Sequence, residues 1–205
     1  MIITELKRIG KSEKYKVFVD GNFHCFLQAE IIVKYHIGVG TNIEEINFDE
    51  IKKQSDDISC FQSALDYISK NLKTKKQLKE NLKQKGYCLQ SIEKAVEKLE
   101  NYGYLNDKYF AEMFVKSLEN KKGEIYIKNA LKQKGVSEKI INEIFEDFET
   151  DDNAIYTLAQ KYMKNKEKSF ENKQKLYRHL LSKGFSFEQA KNASDKIFGG
   201  DDDWD

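Results

Sequence analysis

Apolar and polar residues follow two rhythms along this chain of 205 residues. In the first part they alternate. Tyr15-Lys16-Val17-Phe18-Val19 is β-branched or aromatic at every second position, and Phe23-His24-Cys25-Phe26-Leu27 continues the pattern beyond Asp20-Gly21. Two such runs around Asp-Gly predict a β-hairpin, because that dipeptide tolerates the positive φ angles of the turn. Ile2 to Ile9 supplies a third strand. A short helix is expected over Ala29–Tyr35, ending before Gly38. A second is expected around Glu44–Lys53, where Ile43, Ile46 and Ile51 fall near helical spacing.

From residue 57 onward the rhythm is helical and it repeats. Gly86, Gly135 and Gly184 each follow a lysine, 49 residues apart both times. Eight positions before each stands Leu78, Ile127 or Leu176; four before, Leu82, Leu131 or Leu180. After each glycine come Ile92, Ile141 and Ala190, then Ala95, Ile144 and Ala193, then Leu99, Phe148 and Ile197. A shared apolar skeleton at this period predicts stacked helical units. Each unit reads as three helices. The first carries Ala64, Ala111 or Ala159, and the second closes at the Lys-Gly pair, where glycine adopts the left-handed conformation. The expected fold is mainly α: tandem three-helix repeats forming an elongated curved body, with a small N-terminal β-hairpin head. The expected divisions are 1–55 (head), 56–106, 107–150 and 151–198 (repeats), and 199–205, an acidic tail. Units this small are expected to bury apolar surface against their neighbours.

Composition supports helices. Proline is absent and 34% of residues are charged, against roughly 25% in an average soluble protein. The formal net charge of +1 conceals segregation. Residues 70–86 hold seven lysines and Glu80; residues 121–135 hold five lysines and Glu124; residues 161–183 hold seven lysines and Arg178 against Glu167 and Glu171. Residues 138–152 hold seven acids and Lys139. Basic middle helices aligned by stacking would form a stripe suited to an extended anion, either nucleic acid or the acidic wall of a protein filament. Plainer roles compete with this. Lys85, Lys134 and Lys183 fall where a cation meets the helix dipole and terminal carbonyls. Lys76, Lys79 and Lys83, opposite the Leu78/Leu82 stripe, could be a solvated face. Arg8 and Arg178 are the only arginines, so any DNA contact should rest on phosphate rather than base edges.

Catalytic chemistry is not legible. His24, His36 and His179 have no metal-ligand spacing. Gly38-Val39-Gly40 lacks the rest of a phosphate loop and reads as a turn. Asp56-Asp57 and Asp151-Asp152 are expected to cap helix starts. Cys25, Cys60 and Cys88 read as reduced thiols buried as small apolar residues. No apolar run approaches a membrane span and the N-terminus has no signal-peptide pattern. The expectation is a cytoplasmic, non-enzymatic monomer with no cofactor, metal or membrane partner.

Between the first two repeats the chain reads Gly103-Tyr104-Leu105-Asn106-Asp107-Lys108-Tyr109-Phe110-Ala111. This resembles the Gly-Tyr-Leu-Asp-Asp-x-x-Phe-Ala stretch of the RecX family, regulators of the bacterial RecA recombinase. Thr74-Lys75-Lys76-Gln77-Leu78 with Leu82 and Lys85-Gly86 is similar to that family's Ser-x-x-Glu-Leu…Leu…Lys-Gly segment. Lys122-Gly123 with Ile127, Leu131 and Gln133-Lys134-Gly135 matches its second copy. The likeness spans about residues 57–198, and the head resembles an N-terminal extension found in some members. Asn106 and Gln77 depart from the pattern. The resemblance implies a protein that binds in the helical groove of RecA–DNA filaments and inhibits recombinase, ATPase and co-protease activities, within recombination, repair and the SOS response. The alternative is a sequence-independent module that competes for single-stranded or duplex DNA. Gly103, Tyr104, Leu105, Asp107, Phe110 and Ala111 read as mainly structural, with Asp107 placed to cap the next helix. The candidate contacts to RecA or DNA are Lys76, Lys79, Lys83, Lys122, Lys128, Lys132, Lys173, Lys175 and Arg178.

Overall fold

The computed structural model describes residues 1–146 and 152–199. The chain divides into two compact units, Met1–Leu105 and Asn106–Asp205. The first begins with strands β1 (Ile3–Arg8), β2 (Lys14–Val19) and β3 (Asn22–Gln28), antiparallel in the order β1-β2-β3. Asp20 and Gly21 take φ of 49° and 81°. Two positive φ values in a row match the right-handed twist of the flanking strands, so the hairpin forms where the sequence places it. Ile3, Val17 and Leu27 are fully buried, with Val19 and Cys25 beside them. Helix α1 (Ala29–Lys34) adds Ile31 to this core.

One expected helix is corrected. The stretch predicted as Glu44–Lys53 is a single 3-10 turn, Ile43–Glu45, followed by a break and helix α2, Phe48–Ile68. The side chain of Asn42 accepts from the amide of Glu44 and that of Asn47 from Glu50. Two Asn caps five residues apart start two helices rather than one. As α2 runs unbroken through position 55, Asp56 and Asp57 are interior to it and do not cap a helix start. Helix α2 supplies Phe48 and Ile51 to the head's core, then Cys60 and Ala64 to that of the first repeat. It is shared by both. At the junction, the buried hydroxyl of Ser55 accepts from the Gln28 amide at 2.8 Å and that of Ser59 from Gln28 Nε2 at 2.7 Å.

The first repeat is completed by α3 (Lys75–Gln84) and α4 (Leu89–Asn101). The second unit contains the other repeats: α5 (Asp107–Leu118), α6 (Glu124–Gln133) and α7 (Glu138–Phe145), then α8 (Asp152–Met163), α9 (Phe170–Ser182) and α10 (Phe187–Phe198). Leu78, Leu82, Ile127, Leu131, Leu176 and Leu180 are all 0% exposed. The three buried first-helix alanines, Ala64, Ala111 and Ala159, let the other helices approach closely. Each repeat encloses a distinct apolar cluster. Each repeat therefore has an apolar core of its own. Three short amphipathic helices, each donating one stripe, suffice to seal it. Ser194, where the other repeats place Val96 and Phe145, is buried and returns its hydroxyl to the Ala190 carbonyl at 2.7 Å. Phe148, Glu149, Asp151 and residues 200–205 lie outside the described residues.

The Lys-Gly pairs end α3, α6 and α9 in the same way. Gly86, Gly135 and Gly184 have φ of 85°, 86° and 87°. The glycine amide donates to the carbonyl three residues back (Lys83, Lys132, Leu181), and the next amide donates to Leu82, Leu131 or Leu180. This is the Schellman closure, and it folds Tyr87, Val136 and Phe185 back toward the leucine whose carbonyl they cap. Lys85, Lys134 and Lys183 are the C-cap residues. The final helix of each repeat then starts at an equivalent N-cap: Cys88, Ser137 or Ser186. Cys88 is therefore exposed, not buried as expected, whereas Cys25 and Cys60 are buried, and burial pushes their thiols up to about 11 and about 12.

Within the second unit the turn at Lys183-Gly184 meets the start of α6. The Gly123 amide donates to the Lys183 carbonyl at 3.0 Å and the Ile125 amide to that of Gly184 at 3.2 Å. The negative end of one helix meets the positive end of another. A Cβ at Gly123 would stand 2.2 Å from the Gly184 carbonyl oxygen, and one at Gly184 would stand 2.4 Å from Tyr126 Cβ. Both positions require glycine for space, and Gly184 also for its φ.

Leu82→Ala is expected to lower stability by about 2–5 kcal/mol in urea denaturation, the usual cost of emptying a sealed core site. Gly123→Ala should cost about 1–3 kcal/mol, because two backbones rather than a side chain must give way. Gly38→Ala, where an added Cβ meets nothing within 4 Å, is the control expected to leave the transition in place.

Candidate functional site

The basic middle helices are partly neutralised by acids on the final helices of their own repeats. Lys79 Nζ lies 2.8 Å from Glu93, Lys132 2.8 Å from Glu138, and Lys173 2.9 Å from Asp195. Lys75 pairs with Glu100. Lys128 and Lys175 pair one turn back, each at 2.5 Å, with Glu124 and Glu171. The pairs hold Glu138 and Glu171 below the usual carboxylate range, the lysine hydrogen bond being the main cause. Five of the nine predicted contact cations are thus tied to an acid in the free protein. All but Lys128 and Lys173 keep at least 40% of the side chain exposed. Lys83 and Arg178 are exposed and form no ion pair with another described residue; Lys76 is also exposed.

Lys122 stands apart. Its Nζ is 3.9 Å from the ring centroid of Tyr126, a cation–π contact beside the Gly123–Gly184 crossing. The neighbouring His179 ring stacks on Tyr162 at 4.4 Å, and Lys166 Nζ lies 3.1 Å over that tyrosine. Burial, then Lys183, Lys166 and Lys122, lowers the His179 pKa below its ordinary 6.5. Three lysines from separate segments converge here. They were not legible as a group, because only the crossing of two glycines brings residue 122 beside residues 166–183.

The Gly103–Ala111 motif is mostly framework. Gly103, at φ 73°, closes α4 through the same two hydrogen bonds as the Lys-Gly turns. Leu105, Phe110 and Ala111 are buried. Two readings change. Asn106, not Asp107, is the N-cap of α5, its side chain accepting from the Tyr109 amide at 3.0 Å, and Asp107 is the first helical residue, 9% exposed. Asn caps as well as Asp does, so the departure at position 106 preserves the local structure. Tyr104 is 63% exposed, its ring edge-on to exposed Tyr102 at 6.0 Å. It contributes little to the core.

Among the described residues no cluster of His, Cys, Asp and Glu could hold a metal ion, and no helix is long and apolar enough to cross a membrane. Asp57, expected as a cap, instead joins α2 to α4 through Ser91 and Lys94, the latter at 2.5 Å. Cys88, at the start of α4, has its thiol pKa lowered chiefly by Ser91.

Three-helix domains in tandem, with charge arranged on their surfaces, define a helical-repeat protein. The comparison with known proteins makes this specific. Residues 60–99, 106–144 and 149–193 match the first, second and third three-helix domains of RecX. The Regulatory protein RecX of Clostridium botulinum (strain Eklund 17B) is 34% identical over 186 residues, 88% of each chain. That of Clostridium perfringens (strain 13) is 36% identical over 181 residues, 85% of each. A crystal structure of regulatory protein RecX shares the fold, with TM-score 0.67 at 20% identity over 98% of this chain and 99% of that one. RecX from Lactobacillus salivarius gives 0.63 at 27% identity, covering 69% and 96%. This chain belongs to the RecX family of regulatory proteins.

His179 gives a direct check on the lysine cluster. A depressed folded-state pKa means that the unfolded chain takes up the proton first, so stability falls as pH drops through 6.5 toward the folded value. In an NMR titration His179 should titrate below 6.5, and Lys122→Ala should move it upward. A value unmoved by that substitution would place Lys122 away from the ring.

Proposed function

We propose that this protein is a non-enzymatic regulator of RecA. It binds RecA–DNA filaments, along their helical groove, and inhibits ATP hydrolysis, strand exchange and co-protease activity, acting as a cytoplasmic monomer. Family membership supports the regulatory role. The observation that carries the contact surface is that cations recur on α3, α6 and α9 while each repeat seals its own core. The surfaces are therefore available without unfolding. Exposed ion pairs such as Lys79–Glu93 and Lys132–Glu138 contribute little to stability in water. Their lysines can exchange an internal acid for a phosphate or a carboxylate of the filament at small cost. Several weak contacts linked in one chain then add through effective concentration.

The test adds substoichiometric protein to preformed RecA–DNA filaments and follows ATP hydrolysis together with DNA retention. Loss of hydrolysis with DNA retained supports the reading. Loss of hydrolysis with DNA released from RecA would replace it with competition for single-stranded or duplex DNA. No effect on hydrolysis would leave a passive scaffold. The triple variant Lys79→Gln/Lys128→Gln/Lys132→Gln is expected to keep its thermal midpoint and to weaken filament binding about tenfold, or 1.4 kcal/mol. Unaltered affinity would remove these three lysines from the interface.

A further inference from the structure

The sheet of the head has two faces of opposite character. Val17, Cys25 and Leu27 turn inward and are buried. Alternation sends Lys16, Phe18 and Phe26 outward. The register of β2 and β3 shifts at this point, Val17 pairing with Cys25 and Phe18 with Phe23, so His24 is an extra residue. This bulge returns Phe23 to the outer face, opposite Phe18. The rings of Phe18 and Phe23 meet at 6.1 Å and those of Phe23 and Phe26 at 5.0 Å. Phe23 is 51% and Phe26 38% exposed. Clustered rings left in water mark a surface with a partner.

The charges beside the rings indicate what that partner is. Lys14 Nζ lies 5.3 Å from the Phe26 centroid. Lys16 is the cross-strand partner of Phe26, and Lys7 is the partner of Lys16. None of these three forms an ion pair with another described residue, in contrast to most of the predicted lysines of the repeats. Glu5, across from Phe18, supplies one carboxylate. Asp56 of α2 lies within electrostatic reach of Lys14, but cations not held in ion pairs around exposed rings still complement a ligand that offers anions and flat apolar faces together. Unpaired nucleotides offer both, whereas a duplex keeps its base faces stacked and hidden.

We propose that the outer face of the β1-β2-β3 sheet binds single-stranded DNA, with Phe23 and Phe26 stacking on bases and Lys7, Lys14 and Lys16 meeting phosphates. Every base has a π-face, so the site discriminates little between sequences. The choice of DNA over RNA rests on the function proposed above; the stacking does not.

Fluorescence anisotropy of the full chain, with RecA absent, tests this using dT20 and an abasic deoxyribose-phosphate strand of the same length and charge. The expected result is at least about tenfold tighter binding of dT20, as stacking of one or two bases supplies. Phe23→Leu/Phe26→Leu should erase that preference while keeping the affinity for the abasic strand and the thermal midpoint. Lys7→Gln/Lys16→Gln should weaken binding of both strands and flatten the salt dependence. Equal affinity of the wild type for the two strands, or a preference that survives in the double leucine variant, overturns the proposal. If that variant keeps its base preference but loses RecA filaments, the face contacts protein instead. Tenfold tighter binding of rU20 than of dT20 overturns the assignment to DNA. RecA is absent from the anisotropy titrations, so failure here and failure of the RecA reading are separate results.

Discussion

The reversal of the chain at Gly86, Gly135 and Gly184 constrains everything else in the repeats. A residue with a Cβ pays heavily at φ near 86°, and without that conformation the middle helix cannot place its last carbonyls on the next two amides. Once the turn closes, the leucine four residues back and the residue after the glycine are brought together. The final helix then starts at a fixed distance with its apolar stripe facing that leucine. The identical 49-residue spacing of the three glycines is the sequence trace of this constraint. Gly103 repeats the device between α4 and α5.

Charge follows from the same geometry. Because the turn sets the middle and final helices side by side, lysines of one meet acids of the other, as in Lys79–Glu93, Lys132–Glu138 and Lys173–Asp195. Segregated charge along the sequence thus becomes local pairing in space. A basic middle helix is consequently less electropositive in the free protein than its composition implies, and its cations are held in contacts weak enough to exchange. The head differs: its outward lysines Lys7, Lys14 and Lys16 are not held in ion pairs with other described residues, and they lie beside exposed rings.

Where local chemistry decides structure, the sequence was a sound guide. Asp20-Gly21 dictated its turn, and the repeated leucines and first-helix alanines are the buried residues expected. Where two local signals compete, it was not. Ile43, Ile46 and Ile51 gave helical spacing across a break imposed by Asn42 and Asn47, and Asp56-Asp57 looked like caps although the helix had begun at Phe48. Asn106 took the cap expected of its neighbour, since either side chain can accept the same hydrogen bond.

The primary structure alone determined the family, the repeat, the hairpin and the buried stripes, because each depends on residues within one or two turns of each other or on a period that survives in the letters. Tertiary structure alone decided which lysines find acids, that Gly123 and Gly184 meet, that Lys122, Lys166 and Lys183 gather around His179, and that a one-residue bulge joins Phe23 to Phe18 and Phe26. These proximities are fixed by helix packing, backbone approach and strand register, which the hydrophobic period of the sequence does not encode.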